Sequence, residues 1–404
     1  MRMGVSLWAN NGADNERFVA LEKGEGTPIG DGVDNSTYET EIKFGDLIEP
    51  LGFDSIWTVE HHFNPYTMVP DPLQFLSFWA GRTERVGVGT MVTVLPWHQP
   101  VRVAEQISLL QQFMGDREIM IGFGRGLGRR EYGGLDVPMD ESRERFDEAV
   151  VIIKGLLANE RFGYQGKFTQ VPDVSQRPES RDLSIRPRPR NAKALLDSFY
   201  VAWGSPTSVK ATAHLGLRPL IIPQREFSYY VDELGEFNEL RVGAGYEAAN
   251  CTLLLQCYCA PTEELAQEGV QYFLKQSESA SINYEFGNET IKNAKGYEYY
   301  ATMMDQAAES GLDLSKPALY NEVKDAPIGT PEHCIATIQR VVDQLHPSQI
   351  LGVFKIGSMP YDLAEASLKL FAKEVLPAVH AMVPQAPIEQ AGGLRGPARS
   401  GHVI

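Results

Sequence analysis

Four short stretches carry residue types suited to holding an anion and moving a proton. In REIMIGFGRGLGRR, residues 117–130, an apolar run ends in Gly122, Gly124, Gly126 and Gly128, which enclose Arg125. Glycines accept positive φ and let backbone approach a ligand, while a guanidinium offers a planar fork of donors to a phosphate. In MDESRERFDE, Arg143 falls in the first turn of an expected helix, where the dipole disfavours a cation unless an anion is shared there. In GSPTSV, Ser205 and Ser208 flank a proline-started helix whose first N–H groups suit an anion. Arg125, Arg143, Ser205 and Ser208 are therefore the candidate ligands of one small phosphate. The fourth stretch, TVEHHFNPYTMVPDPL, sets His61 and His62 among aromatic and apolar residues, where an imidazole can exchange a proton near neutrality. Neighbouring strand residues face opposite ways and no HxH spacing occurs, so a metal site is not expected.

A net charge of −16 over 404 residues argues against a nucleic-acid partner, because no patch is basic enough to displace counterions. The N-terminus lacks the apolar centre of a signal peptide, and no uncharged run reaches the length of a membrane span. A cytoplasmic location is expected. Cys251, Cys257, Cys259 and Cys334 match neither a zinc ribbon nor a redox pair and read as buried free thiols.

The elements that must position these residues alternate between strand and helix patterns. Strands are expected at 4–8, 55–59, 85–95, 118–123, 198–203, 219–223, 251–260 and 349–357, each followed by a helix-like segment. The segment 161–190 interrupts the alternation and reads as an excursion with a hairpin around GYQGKF. Asp140 is the expected N-cap of the helix carrying Arg143. Eight βα units fit a closed α/β (β/α)8 TIM-type barrel occupying 1–383, whose chemistry sits at the C-terminal strand ends. An insertion follows the seventh strand at about 262–327, and 384–404 reads as a flexible tail.

The chain resembles the bacterial luciferase-like, flavin-dependent monooxygenases. The likeness rests on GFDSIWTVEHHF, VGVGTMVTVLPWHQPVRVAEQISLLQQ, IGFGRGLGRREY and MDESRERFDE, and runs from Met1 to about Pro377. It implies a barrel that binds reduced FMN delivered by a separate NAD(P)H-dependent flavin reductase and uses O2 to oxygenate an apolar organic substrate, by Baeyer–Villiger chemistry, aldehyde oxidation or hydroxylation. By motif, Arg125, Arg143, Ser205 and Ser208 would hold the FMN phosphate, His61 would stand beside the flavin ring, and Met91 and Val92 would lie at a cis peptide beneath it. A homodimer is expected. Gly124 stands where luciferases carry a reactive cysteine, and Gly204 where they carry glutamate, so light emission does not follow. The alternatives are a deazaflavin-dependent hydride-transferring oxidoreductase on the same fold, an aldolase using Lys355 as a Schiff base, and a non-catalytic flavin-binding protein. Trp8, Phe63, Tyr66, Met68, Trp97 and Trp203 are candidate walls of the substrate pocket.

Overall fold

A computed structural model describes residues 1–223, 227–285, 294–300, 302 and 325–390. Eight parallel strands close a barrel: β1 (Arg2–Leu7), β2 (Ser55–Thr58), β3 (Gly87–Val94), β4 (Ile119–Gly124), β5 (Phe199–Ala202), β6 (Arg218–Ile221), β7 (Thr252–Gln256) and β8 (Gln349–Val353). Each pairs with its neighbours in sequence, and β1 closes on β8 with Arg2 opposite Gln349. The strands are buried on both faces, which is why they read as continuous apolar runs and not as alternating ones.

Local signals place the surrounding helices. Asp71 accepts the Gln74 N–H at 2.9 Å and Pro72 starts the helix Pro72–Arg82. In the next helix, Pro100–Met114, Val103, Ile107, Leu110 and Met114 are all buried, as their spacing requires. The expected hairpin forms, with Tyr164–Gln165 antiparallel to Gln170–Val171. Asp140, however, is not an N-cap. The helix Ser142–Ala158 begins without a side-chain cap, and the Asp140 carboxylate instead accepts the Lys295 N–H at 2.9 Å.

After β7 the chain leaves and returns through two short parallel strands, Tyr258–Cys259 and Ile328–Gly329. The expected excursion lies between them and includes the helix Glu263–Tyr284. The first residues of the expected loose tail are pinned: the carbonyls of Gln385, Ala386 and Ile388 accept from Asn250, His346 and Asn238. The remainder of that tail, 391–404, lies outside the described residues. All four cysteines are free and buried, and burial pushes the Cys251 thiol up to about 12. Among the described residues no helix is long and apolar enough to cross a membrane.

Candidate functional site

The expected anion ligands converge at the C-terminal ends of β4 and β5. β4 runs through Gly124, so the loop proper is Arg125–Gly128, and within it only Gly126 has positive φ, at +80°. The other glycines are explained by close approach: a Cβ on Gly124 would strike Val92, and one on Gly128 would strike the Glu131 carboxylate. Arg125 donates from Nη2 to the Gly296 carbonyl at 2.7 Å, and its guanidinium lies 4.1 Å from the Tyr297 ring centroid. Its Nη1 is buried with no hydrogen-bond partner among the described residues. Arg143 donates to Ser208 Oγ at 3.2 Å, and Ser208 Oγ lies 3.0 Å from Ser205 Oγ.

The two cations feel each other. Arg143 is held below its ordinary value by burial and then by the charge of Arg125. The acid that acts on both, Asp147, has its carboxyl raised by burial even though Arg143, His214 and Arg125 pull it down. A phosphate would offset the mutual repulsion of the two guanidiniums and offer an acceptor to the orphaned Nη1, so the donor set fits the phosphate of a nucleotide-like cofactor.

A segment of the excursion lies over this site. Tyr297 is buried and donates to the Gly126 carbonyl at 2.8 Å, and the Tyr300 hydroxyl comes within 2.5 Å of where a Cβ on Gly204 would be. Tyr132 donates to the Arg125 carbonyl, fixing the loop from below. Sequence reasoning missed Tyr297 and Tyr300, because nothing local in GYEYY signals a contact with a loop 171 residues earlier.

His61 and His62 leave the end of β2 in opposite directions. His61 Nδ1 is 2.9 Å from Glu131 Oε1, its Nε2 is 3.3 Å from the Tyr284 hydroxyl, and its ring meets Tyr66 with centroids 5.1 Å apart. Asn283 and Tyr284, at the end of the helix Glu263–Tyr284, complete this surround. His62 turns to Glu60, 3.2 Å away, where His98 also binds at 2.7 Å and the Val94 N–H donates at 2.7 Å. Burial pushes the Glu60 carboxyl up, but the hydrogen bonds of His62 and His98 outweigh it and leave the group below its usual range. His62 is thus part of a scaffold that ties β2 to the end of β3, and His61 alone faces the aromatic surround.

The Met91–Val92 peptide is cis. Of the expected pocket walls, Tyr66 packs on His61 and Trp8 packs on Tyr66 at 6.1 Å. Trp97 lies on the His62 side at 5.4 Å, Trp203 stacks on Phe237 at 4.9 Å, and Phe63 is half exposed. Met68 is held by its backbone, donating to the Ala9 carbonyl at 3.3 Å. Lys355 is buried at 3.2 Å from Glu41, which also accepts the Trp8 and Ala9 N–H groups, so its ammonium is an ion-pair partner and not a free amine poised for a carbonyl.

A family model described as luciferase-like monooxygenase matches residues 17–346. The alkanal monooxygenase alpha chain of Photobacterium leiognathi is 26% identical over 345 residues, spanning 84% of this chain and 92% of its own. Two solved structures share the fold. One is the oxygenating constituent of 3,6-diketocamphane monooxygenase from Pseudomonas putida, a type II Baeyer–Villiger monooxygenase in complex with FMN. It superposes with a TM-score of 0.64 at 19% identity, covering 93% of this chain and 98% of that one. The other is an F420-dependent secondary alcohol dehydrogenase, with a TM-score of 0.63 at 14% identity, covering 94% and 98%.

Proposed function

The chain belongs to the luciferase-like monooxygenase family, and from that premise we propose that it is the oxygenase component of a two-component, FMN-dependent monooxygenase. It takes reduced FMN from a separate NAD(P)H-dependent reductase and uses O2 to oxygenate a small, largely apolar organic substrate. Arg125, Arg143, Ser205 and Ser208 would hold the phosphate, Met91 and Val92 would support the ring, and His61 would serve the reacting end of the site. When bound, the flavin would supply the activation of O2; the protein supplies orientation, exclusion of water and a proton acceptor at His61 Nε2.

The observation that carries this reading is the Nη1 of Arg125, buried with no hydrogen-bond partner among the described residues, near a second guanidinium that burial and the Arg125 charge hold below its ordinary value. The aromatic surround of His61 suits an apolar substrate that meets one titratable group. The test is O2 consumption with reduced FMN, measured against anaerobic hydride transfer with a reduced deazaflavin. O2 uptake coupled to product supports the oxygenase, whereas turnover only in the anaerobic assay assigns the chain to the deazaflavin branch. His61→Ala is expected to bind FMN normally and to convert O2 to H2O2 without product; an unchanged product yield removes His61 from the chemistry.

A further inference from the structure

Among the described residues Glu131 is the one fully buried carboxylate that touches His61, and no motif in the chain announces it. It lies in the short helix Arg129–Gly134, which follows the Arg125 loop directly. Its Oε1 is 2.9 Å from His61 Nδ1 and also accepts the His62 backbone N–H at 2.9 Å. Its Oε2 is buried with no partner among the described residues, and it fits only because residue 128 has no side chain. A buried carboxylate kept at this expense of desolvation needs a reason.

We infer that Glu131 is a positioning residue that fixes His61 as the Nδ1–H tautomer, leaving the Nε2 lone pair directed at the reacting atoms. The inference rests on the proton-handling role proposed above for His61. The geometry decides the tautomer. Oε1 already receives the obligatory N–H of His62, so it is an acceptor, and the ring nitrogen facing it at 2.9 Å must donate. The competing contact is Asn283 Nδ2, whose orientation is set by Asn64 donating to Asn283 Oδ1 at 2.5 Å. That amide nitrogen is 3.5 Å from Nδ1, too far to outweigh a charge-assisted bond. With Nδ1 carrying its hydrogen, Nε2 accepts from Tyr284 at rest and takes a proton from the substrate complex in turnover. The resulting imidazolium keeps its Nδ1–H bond to Glu131, so one proton moves and no second transfer is needed. This orientation is the reverse of the tautomer that an isolated imidazole prefers, which is why a dedicated acceptor is required.

The experiment is 15N NMR of histidine-labelled, flavin-free protein, with His61 assigned by its loss in His61→Asn. At neutral pH the wild type is expected to show a protonated Nδ1 and an unprotonated Nε2. Glu131→Gln keeps an acceptor oxygen and should retain this pattern and most of kcat. Glu131→Leu removes the acceptor and should revert the ring to Nε2–H, lowering kcat on the order of 100-fold while KM and the FMN dissociation constant change by less than about threefold. A wild-type spectrum with Nε2–H overturns the inference without any variant. So does a Leu variant that keeps the wild-type tautomer or the wild-type kcat. The spectrum is read without turnover, so a protein with the expected tautomer but no reaction with reduced FMN refutes the proposed function and leaves the positioning role standing.

Discussion

Arg125→Ala should separate stability from cofactor binding. Removing the side chain deletes the Gly296 hydrogen bond, about 0.5–1.5 kcal/mol, and the contact with the Tyr297 ring, about 2 kcal/mol at a desolvated site. It also deletes a buried donor with no partner among the described residues, which costs about 1–3 kcal/mol while it remains, and it frees Arg143 from a neighbouring like charge. These terms oppose, so the flavin-free protein should change in stability by about 1 kcal/mol or less. Phosphate binding has no such compensation. One charge-assisted hydrogen bond is worth about 1.5–3 kcal/mol, which raises the FMN dissociation constant by about 10- to 150-fold. Fluorescence titration with FMN gives the affinity, and thermal melts of the flavin-free protein give the stability. A variant that melts many degrees lower yet binds FMN as tightly as wild type would refute the reasoning, since Arg125 would then be a structural cation that meets no phosphate.

Three further outcomes follow from the geometry. Burial alone would lower the His98 imidazole, but the hydrogen bond and charge of Glu60, with Asp71, outweigh it and raise the group. Its contribution to stability is therefore complete below about 6.5, the usual histidine value, and is lost as pH rises through the folded value; urea unfolding should show the gap between wild type and His98→Gln shrinking from pH 6 to pH 9. Lys355→Met leaves Glu41 buried and uncompensated and should cost about 3–5 kcal/mol, the double variant with Glu41→Gln should recover much of that, and borohydride should trap no adduct at Lys355 in the wild type. Gly128→Ala drives a Cβ into the Glu131 carboxylate, so it should lower kcat as Glu131→Leu does while FMN affinity holds within about threefold; intact kcat with a folded protein would show that the carboxylate has room elsewhere.

The barrel was legible because its strands are buried on both faces and therefore leave apolar runs at a regular interval; β3 and β4 read almost to the residue. Arg125 and Arg143 were legible because a cation in a glycine loop and a cation at a helix start are each anomalous until an anion is supplied. Glu131 was not. Lodged between Arg130 and Tyr132 in the chain, it looks like one more charge in a polar turn, and only the folded loop shows that it points inward to His61 while Arg130 points to Glu22. The glycines misled in a similar way. Positive φ and close approach to a ligand were the expected reasons for all four, yet Gly126 alone has positive φ, and the others are small because Val92, Thr90 and Glu131 press on them. Asp140 had the sequence of an N-cap but was claimed by the Lys295 backbone, a tertiary partner that local pattern does not encode.

The two halves of the candidate site are not independent, because one stretch of seven residues serves both. Arg125 begins it and Glu131 ends it, and Gly126 and Gly128 set its path between them. Tyr132 holds the Arg125 carbonyl and Tyr297 holds the Gly126 carbonyl, so a shift at the anion end has few ways to be absorbed before it reaches Glu131. The same carboxylate then transmits any displacement to the His61 ring and the His62 backbone together. Filling the anion site should accordingly alter the His61 environment, and inorganic phosphate alone should shift the His61 15N resonances in wild type. In Arg125→Ala that shift should disappear. A phosphate response in the variant equal to that of the wild type would show that the loop does not couple the two ends.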